Sequence, residues 1–210
     1  QFESFATARV TAAEGKKILD LIARRVTTRK PAAYLVNKIY MRGLPFYVDE
    51  RTIVPRSFIG ELLEQHFGGD GDEEAGSLIS DPAVVESVLD LCTGSGCLAI
   101  LAGRNFPNAE IDAVDISKDA LEVAARNVSD YGLGDRVTLH RGDLFKPVGD
   151  RRYDLIISNP PYVDAEGMAS LPRECRAEPK LAFDGGADGL DIVRRILDES
   201  SAHLTPQGGL

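Results

Sequence analysis

The chain has 210 residues, of which 43% are hydrophobic and 27% charged, and its formal net charge is −9. These proportions are typical of a soluble globular protein of one domain, or of one domain with a small appendage, and exclude disordered and collagen-like chains. No apolar stretch approaches the roughly 18 residues that a membrane span needs, and the negative charge disfavours unaided binding to duplex nucleic acid. The three scattered cysteines predict reduced thiols in a cytosolic protein rather than a disulfide framework.

The charge is distributed unevenly along the chain. Residues 1–60 contain eleven Lys and Arg against five Asp and Glu, whereas residues 61–210 contain 13 against 28. This asymmetry indicates a basic, partner-facing module followed by an acidic catalytic one, although two ordinary solvated surfaces would give the same counts. The pairs Arg24-Arg25 and Arg29-Lys30 could contact RNA or a ribosomal partner, or could form a solvated helix face.

Residues 1–67 predict a small helical and β-hairpin module. Thr11 and Glu14 have the spacing of a capping box and the following apolar residues recur at helical spacing, so a helix is expected over 12–28, closed with the help of Pro31. The module is also predicted to contain a hairpin within 37–54, with strands 39–41 and 46–48 flanking Gly43-Leu44-Pro45, and a second helix over 58–67.

A linker is predicted over residues 68–76, where four glycines and four acidic residues occupy nine positions. It would separate the module at 1–67, assigned to substrate recognition, from a catalytic domain at 77–210. In that domain short apolar strands alternate with helices, which predicts an α/β fold with a doubly wound, mostly parallel, Rossmann-like sheet. The predicted strands are 87–92, 110–114, 136–140 and 153–158, and the predicted helices are 96–105, 117–131 and 187–203.

Both chain ends predict a fragment. The chain begins at Gln1 and stops at Gly208-Gly209-Leu210, soon after Thr205-Pro206, where a new strand is expected to begin. We therefore expect the C-terminal strands of the sheet to be missing. The sequence leaves open the activity of such a fragment and its oligomeric state.

A glycine-containing turn joins the first strand of the predicted sheet to the first helix. Gly94 and Gly96 allow the backbone to approach a ligand closely, and the helix N-terminus that follows offers free N–H groups. Asp115 ends the second strand, where a carboxylate can accept hydrogen bonds from both ribose hydroxyls. Asp143 and Leu144 end the third strand, where they could hold a ring edge and face. These residues predict a nucleoside cofactor but also fit a dinucleotide.

The tetrapeptide Asn159-Pro160-Pro161-Tyr162 follows the strand at 153–158 and therefore faces the same crevice. Each proline fixes its own φ and restricts the residue before it, so the turn is stiff. It presents the Asn159 side-chain oxygen and the Pro160 carbonyl as two acceptors, which suit the two donors of an –NH₂ group. Tyr162 adds an aromatic face that can pack on a planar substrate group.

The segment 90–96, read Asp-Leu-Cys-Thr-Gly-Ser-Gly, together with Asn159-Pro160-Pro161-Tyr162, resembles the class I methyltransferases that use S-adenosylmethionine. More narrowly, the chain resembles the HemK-type protein-glutamine N5-methyltransferases from about Ala8 to its last residue. One branch of that family methylates the Gly-Gly-Gln glutamine of release factors, and another a glutamine of the third protein of the large ribosomal subunit. Residues 46–51, 54–62 and 162–168 are similar to the ribosomal-protein branch, whereas Phe183-Asp184-Gly185-Gly186 looks closer to the release-factor branch.

The resemblance implies S-adenosylmethionine as cofactor, with S-adenosylhomocysteine as product, and a cytoplasmic enzyme acting on a glutamine of a translation protein. It implies that residues 92–96 cradle the methionine end, that Asp115 takes the ribose, and that Asp143 and Leu144 flank the adenine, while Asp90 orients the glycine loop or the cofactor ammonium. The implied catalytic residues are Asn159, Pro160, Pro161 and Tyr162. The implied cofactor-binding residues are Asp90, Cys92, Thr93, Gly94, Ser95, Gly96, Asp115, Asp143, Leu144 and Asn159.

Several alternatives remain open at this level. The same two acceptors serve the exocyclic amine of adenine N6 or guanine N2 in nucleic acid, although such enzymes normally add a large basic region. A nicotinamide-dependent oxidoreductase would explain the glycines and Asp115 but leaves Asn159 to Tyr162 without a role. A non-enzymatic binding module that retains the cofactor fold is disfavoured by the intact Asn159 and Asp115. No metal site is expected, because Cys92 and Cys97 have no His or second Cys pair nearby. Arg173, Arg176 and Glu178 form a substrate-side flap or pair with one another.

Overall fold

The computed structural model describes residues 8–67, residue 79 and residues 81–210, so the predicted linker at 68–76 lies outside the described residues. The first helix, α1 (Ala12–Thr28), begins with the predicted capping box, in which Thr11 and Glu14 satisfy each other's backbone N–H groups. It ends at Arg29, which adopts a left-handed φ of 60°, and not through Pro31 as predicted. Pro31 instead precedes a short helix, α2 (Ala32–Val36), that the sequence did not indicate.

The predicted hairpin is present with a shifted second strand. Strands β1 (Ile39–Met41) and β2 (Leu44–Phe46) pair antiparallel, with Met41 opposite Leu44. The turn therefore contains only two residues, and Pro45 lies inside a strand that was predicted to begin at Phe46. A proline is tolerated there because each strand of a two-stranded sheet has a free edge. The following helix, α3 (Ile59–Glu64), is shorter than predicted.

The second part of the chain forms the predicted doubly wound sheet. All five strands are parallel, in the order β5-β4-β3-β6-β7. The chain runs outward in one direction from β3 and then crosses to the opposite side at β6, which opens a crevice at the carboxyl ends of the strands. The elements are β3 (Ser87–Leu91), α4 (Cys97–Asn105), β4 (Glu110–Asp115), α5 (Lys118–Asp130), β5 (Val137–Arg141), β6 (Tyr153–Ser158), α6 (Ala165–Ser170), α7 (Asp191–Ser200) and β7 (Leu204–Gly209).

Three features near the C-terminal end differ from the sequence prediction. Helix α6, capped by Asp164, was not predicted. Helix α7 begins at Asp191 and not at 187, because Gly189 has a φ of +80° and the preceding residues form a turn. Strand β7 begins at Leu204, before the Thr205-Pro206 break, and its pairing with β6 is shifted by an irregularity.

Apolar side chains cover both faces of the sheet. On one face α4 packs with Phe46 of the hairpin and Leu63 of α3 in a single cluster, so the N-terminal elements share this core. On the other face Leu89, Tyr153 and Ile196 of α7 belong to a second cluster. Burial on both faces explains why the strands read as nearly continuous apolar runs. Among the described residues, no helix combines the length and apolar character needed to cross a membrane.

Candidate functional site

A cleft of about 340 Å³ lies at the carboxyl ends of β3, β4, β5 and β6. It brings together most of the residues that the sequence singled out, although they lie up to 70 positions apart along the chain. Asp90, Thr93, Ser95 and Gly96 do not line it and lie in or beneath the glycine loop. The predicted residues that line the cleft are Cys92, Gly94, Asp115, Asp143, Leu144, Asn159, Pro160, Pro161 and Tyr162.

The glycine loop is held from below by Asp90. This aspartate is fully buried and accepts hydrogen bonds from the Thr93 hydroxyl at 2.5 Å and the Ala99 N–H at 3.0 Å, both on Oδ2. Burial raises the pKa of Asp90 to about 7, because an ionised carboxylate is poorly solvated in an apolar interior. Asp90 therefore fixes the loop, one of its two predicted roles, and does not reach the cleft surface.

Gly94 is the glycine of the loop that lines the cleft. Its φ is +56°, a conformation that L-residues with a Cβ adopt at a cost, and a Cβ built there has only the Cys92 carbonyl oxygen, at 4.0 Å, within reach. A side chain at this position would therefore project into free space in the cleft. Burial raises the pKa of the neighbouring Cys92 thiol to about 12, which disfavours its thiolate form at neutral pH.

Asp115 joins the glycine loop to the start of α5. Its Oδ2 accepts the Gly94 N–H at 2.8 Å and its Oδ1 accepts the Ser117 N–H at 2.8 Å. Burial raises the pKa of Asp115, while these backbone donors oppose the shift. Each carboxylate oxygen has a second lone pair, so the side chain can accept further hydrogen bonds from a ligand in the cleft.

Asp143 is fixed by two cations. Arg195 of α7 contacts both of its carboxylate oxygens at 2.9 Å, and Lys146 contacts Oδ2 at 2.7 Å. These hydrogen bonds hold the pKa of Asp143 below its usual value, so the group is ionised at neutral pH. Leu144 beside it is buried and has a left-handed φ of 50°, which directs the chain around this end of the cleft.

The Asn-Pro-Pro-Tyr turn begins where β6 ends. The Ser158 hydroxyl donates to the Leu91 carbonyl at 3.0 Å, which fixes the end of β6 against β3 and places Asn159 close to the glycine loop. The Asn159 side chain has no hydrogen-bond partner among the described residues, and its oxygen is therefore available in the cleft. Tyr162 is 61% exposed at the mouth of the cleft.

The backbone after Tyr162 is clamped by the segment 183–189. The Val163 N–H donates to the Phe183 carbonyl at 2.8 Å, and the Gly185 N–H donates back to the Val163 carbonyl at 2.9 Å. A Cβ at Gly185 would lie 2.8 Å from the Tyr162 Cα and 2.5 Å from the Gly189 carbonyl oxygen. Only glycine allows this close approach, so this segment positions the tetrapeptide from outside the cleft.

Comparison with known proteins places this site in a family. Residues 77–172 match the family described as methyltransferase small domain. A ribosomal protein uL3 glutamine methyltransferase of Bradyrhizobium diazoefficiens is 80% identical over all of this chain and 65% of its own length. A protein of the same name from Bordetella pertussis is 54% identical over 99% of this chain and 67% of its own length. The chain belongs to the ribosomal protein uL3 glutamine methyltransferase family.

Membership of the uL3 glutamine methyltransferase family confirms the predicted resemblance and its ribosomal-protein branch. The chain spans 65% of the length of the Bradyrhizobium relative. Its fold is also similar to that of the solved hMettl16 catalytic domain in complex with MAT2A 3′UTR hairpin 1, with a TM-score of 0.56, 16% identity, and coverage of 91% of this chain and 63% of that one. At that identity the likeness concerns the fold alone.

In this chain, one part of the cleft wall comes from the N-terminal module. Arg51, Thr52, Ile53 and Arg56 line it, and sequence reasoning assigned none of them to the site. Arg51 is held by Asp49 at 2.6 Å and by Glu122 of α5 at 3.0 Å. Arg51 and Arg56 lie in the segments 46–51 and 54–62, which resemble the ribosomal-protein branch, but that resemblance assigned no role to either residue.

Asn127 of α5 is a second residue that the sequence analysis missed. Its side chain is 1% exposed and makes three hydrogen bonds. It accepts the Tyr47 N–H at 2.8 Å and donates to the carbonyls of Tyr47 at 3.0 Å and Ser95 at 2.8 Å. Asn127 therefore ties the N-terminal hairpin to the glycine loop. A signal was present, because Asn127 is a polar residue within the apolar stripe that includes Val123 and Val128.

The predicted flap residues do not pair with one another. Glu178 is buried and contacts the segment Val54–Arg56, and Glu174 contacts Arg25 and Arg29 of α1 at 3.2 and 2.5 Å. The segment after the tetrapeptide is therefore joined to the N-terminal module at two places. These ion pairs also occupy part of the basic surface of α1.

Proposed function

We propose that the protein transfers a methyl group from S-adenosylmethionine to the side-chain nitrogen N5 of a glutamine in the large-subunit ribosomal protein uL3. One observation carries this proposal. A single cleft joins Asp115 and Asp143, which suit a nucleoside, to Asn159, which suits an amide, in a chain whose relatives are named uL3 glutamine methyltransferases. A dinucleotide oxidoreductase would leave the Asn159 turn without a use.

The residues present fit S-adenosylmethionine. The glycine loop leaves open space where any side chain at Gly94 would intrude, and the Asp115 carboxylate retains lone pairs for the ribose hydroxyls. Ile116, Leu144 and Ile192 supply apolar walls for an adenine ring, with the Asp143 carboxylate at their edge. We assign Asp90, Thr93, Ser95 and Gly96 to the shape of the loop rather than to direct contact.

Asn159 and Pro160 carry the chemistry on the acceptor side. When bound, S-adenosylmethionine supplies an electrophilic methyl group on a sulfonium and leaves as S-adenosylhomocysteine. A primary amide nitrogen is a poor nucleophile because its lone pair is delocalised into the carbonyl. The Asn159 oxygen and the Pro160 carbonyl accept the two N–H groups, orient the nitrogen toward the methyl group and stabilise positive charge developing on it. The methylated nitrogen is acidic enough to lose its proton without a dedicated base.

Pro161 and Tyr162 support this arrangement. Pro161 keeps the turn rigid, and the exposed Tyr162 ring can pack on the planar amide of the acceptor. Apolar residues of the mouth, Leu171, Leu181 and Phe183, limit water in the cleft, and a drier site favours a reaction that disperses the sulfonium charge.

The N-terminal module is proposed to recognise the substrate protein. Through residues 51–56 it lines the part of the cleft that, together with residues 171–183, we call the acceptor wall, and it carries the excess of basic residues. Arg25, Arg29 and Lys30 are engaged with acidic partners, so any contact with ribosomal RNA through this surface is expected to be weak. An enzyme that modifies a ribosomal protein acts in the cytoplasm.

The test uses the full-length protein that contains this chain, with methyl-labelled S-adenosylmethionine and three separate acceptors: uL3, a release factor, and mixed DNA and RNA. Label on a glutamine of uL3 alone is expected. Label on the release factor would change the substrate and keep the chemistry, whereas label only on nucleic acid would refute glutamine methylation.

The variant Asn159→Ala is expected to lower kcat by about 100-fold or more, because one of the two oriented acceptors is lost. Its cofactor Kd should stay within about threefold of the unsubstituted protein, as calorimetry can measure. Ser170→Ala is the matched control, because the Ser170 hydroxyl donates to the Glu166 and Gly167 carbonyls of its own helix. Normal turnover by Asn159→Ala would contradict the assignment.

A further inference from the structure

The acceptor wall contains an ion pair with an unusual construction. The Glu178 side chain is completely buried, with a relative exposure of 0%, while the Arg56 side chain remains 52% exposed. Glu178 accepts the Val54 N–H at 2.8 Å with Oε2 and the Arg56 Nη2 group at 2.6 Å with Oε1. A carboxylate is costly to bury, so pairs of this kind contribute little to stability relative to apolar residues of the same size.

The pair instead fixes where the Arg56 guanidinium lies. Glu178 belongs to the segment that follows the Asn159 turn, and Val54 and Arg56 belong to the N-terminal module, so the bond joins the two sides of the acceptor wall. Only one nitrogen of Arg56 is used. Its Nε and Nη1 groups have no hydrogen-bond acceptor within the part of the chain that the structure describes.

The other two arginines of the cleft are excluded on different grounds. Arg51 donates through Nε and both terminal nitrogens to Asp49 and Glu122. Arg195 uses only its Nη2 group, which contacts both Asp143 carboxylate oxygens, but it lies on the side of the cleft assigned to the nucleoside. Arg56 is therefore the cleft arginine placed at the acceptor wall with free donors.

The proposed mechanism gives the carbonyl oxygens of the acceptor glutamine no hydrogen-bond donor. Asn159 and Pro160 accept the two N–H groups of the amide, but a glutamine residue also brings carbonyl oxygens into a mostly apolar cleft, and a desolvated carbonyl requires a donor. On the basis of the proposed function, we propose that Arg56 binds a carbonyl oxygen of the acceptor glutamine residue, and that Glu178 is the positioning residue that holds Arg56 there.

The experiment measures kcat, the KM for uL3 and the cofactor Kd for the full-length protein and its variants. Arg56→Ala is expected to raise the KM for uL3 by about 10- to 100-fold, since a hydrogen bond from a charged donor is lost, with an unchanged cofactor Kd. Arg56→Lys keeps the charge and should recover part of this loss. Glu178→Gln should raise the same KM, and the double variant should be no worse than Arg56→Ala, because both changes remove one interaction.

Asp130→Asn is the control. Asp130 pairs with Arg126 of α5 at 3.8 Å, and neither residue lines the cleft or belongs to the N-terminal module or the segment 171–183, so its KM should remain normal. A rise in KM at constant kcat assigns the bound oxygen to the main chain of the acceptor, whereas a fall in kcat as well assigns it to the reacting amide. Thermal unfolding of each variant excludes simple loss of fold.

The outcomes separate this inference from the function on which it rests. If the unsubstituted protein methylates uL3 and Arg56→Ala keeps a normal KM and kcat, the role of Arg56 is refuted and the function stands. If the unsubstituted protein methylates neither uL3 nor another protein glutamine, both are refuted. A double variant whose defect equals the product of the two single defects would refute the positioning role of Glu178.

Discussion

The hydrogen bonds of Asn127 provide the sharpest test of how the site is assembled. Replacement by leucine keeps the volume and removes one acceptor and two donors from a side chain that is 1% exposed. The Ser95 carbonyl is then left unpaired in a residue that is 3% exposed, whereas the half-buried main chain of Tyr47 can be partly rehydrated. A buried hydrogen-bonding group that loses its partner completely costs about 1–3 kcal/mol. The unpaired Ser95 carbonyl and the two partly rehydrated groups of Tyr47 should together lower the free energy of unfolding by about 3 kcal/mol.

Urea unfolding at 25 °C measures this loss as a lower midpoint at constant slope, and thermal unfolding should show a decrease of about 6–12 °C in Tm. Asn108→Ala is the matched control, because the Asn108 side chain donates a single 2.9 Å bond to the Ala83 carbonyl at the surface, and its loss should cost less than about 1 kcal/mol. An Asn127→Leu loss as small as that of the control would refute the reasoning.

Three further predictions concern the cofactor side of the cleft. Gly94→Ala places a methyl group in the cleft at a φ of +56° and should weaken S-adenosylmethionine binding by about tenfold or more in calorimetry; an unchanged Kd would contradict the placement of the loop. In Asp115→Asn, the side-chain NH₂ group would face the backbone N–H of either Gly94 or Ser117, so a similar loss of affinity for S-adenosylmethionine is expected. Retained affinity would exclude Asp115 from ribose binding. Because burial raises the pKa of Asp90 from 3.8 to about 7, its ionisation opposes folding, and the stability present below pH 4 is lost as the pH rises through 7. The Asp90→Asn side chain does not ionise. In urea unfolding, the free energy of unfolding of this variant relative to the unsubstituted protein should therefore increase by up to about 4 kcal/mol between pH 4 and 8. If the difference between the two free energies does not depend on pH, Asp90 does not titrate in this range.

Local patterns were sufficient to predict the sheet. The strand β6 was predicted with both ends correct, and the start of α5 was predicted to within one residue, because apolar runs and capping residues act over a few positions. Both ends of α1 were also predicted correctly, although the helix ends through the left-handed conformation of Arg29, which its residue type disfavours. The same patterns missed β7, because Pro206 indicates a break and is tolerated in this strand at the edge of the sheet.

Some residues of the candidate site could likewise be predicted from local patterns, and others could not. Its strand-end residues were predicted because the carboxyl ends of parallel strands converge at one edge of the sheet. The contact between Glu178 and Val54 joins positions 124 residues apart and leaves no local trace in the sequence. Asn127 could have been found, since a polar residue in an apolar helical stripe requires buried partners.

The two walls of the cleft have different freedom to change during evolution. The side of the cleft assigned to the nucleoside consists of strand ends whose positions are fixed by the sheet. Substitutions there therefore disturb the packing of the core as well as the binding of the cofactor. The acceptor wall consists of loops from residues 51–56 and 171–183, which reach each other through Glu178. A new acceptor can therefore be selected by altering these loops alone, provided that both sides of the wall change together.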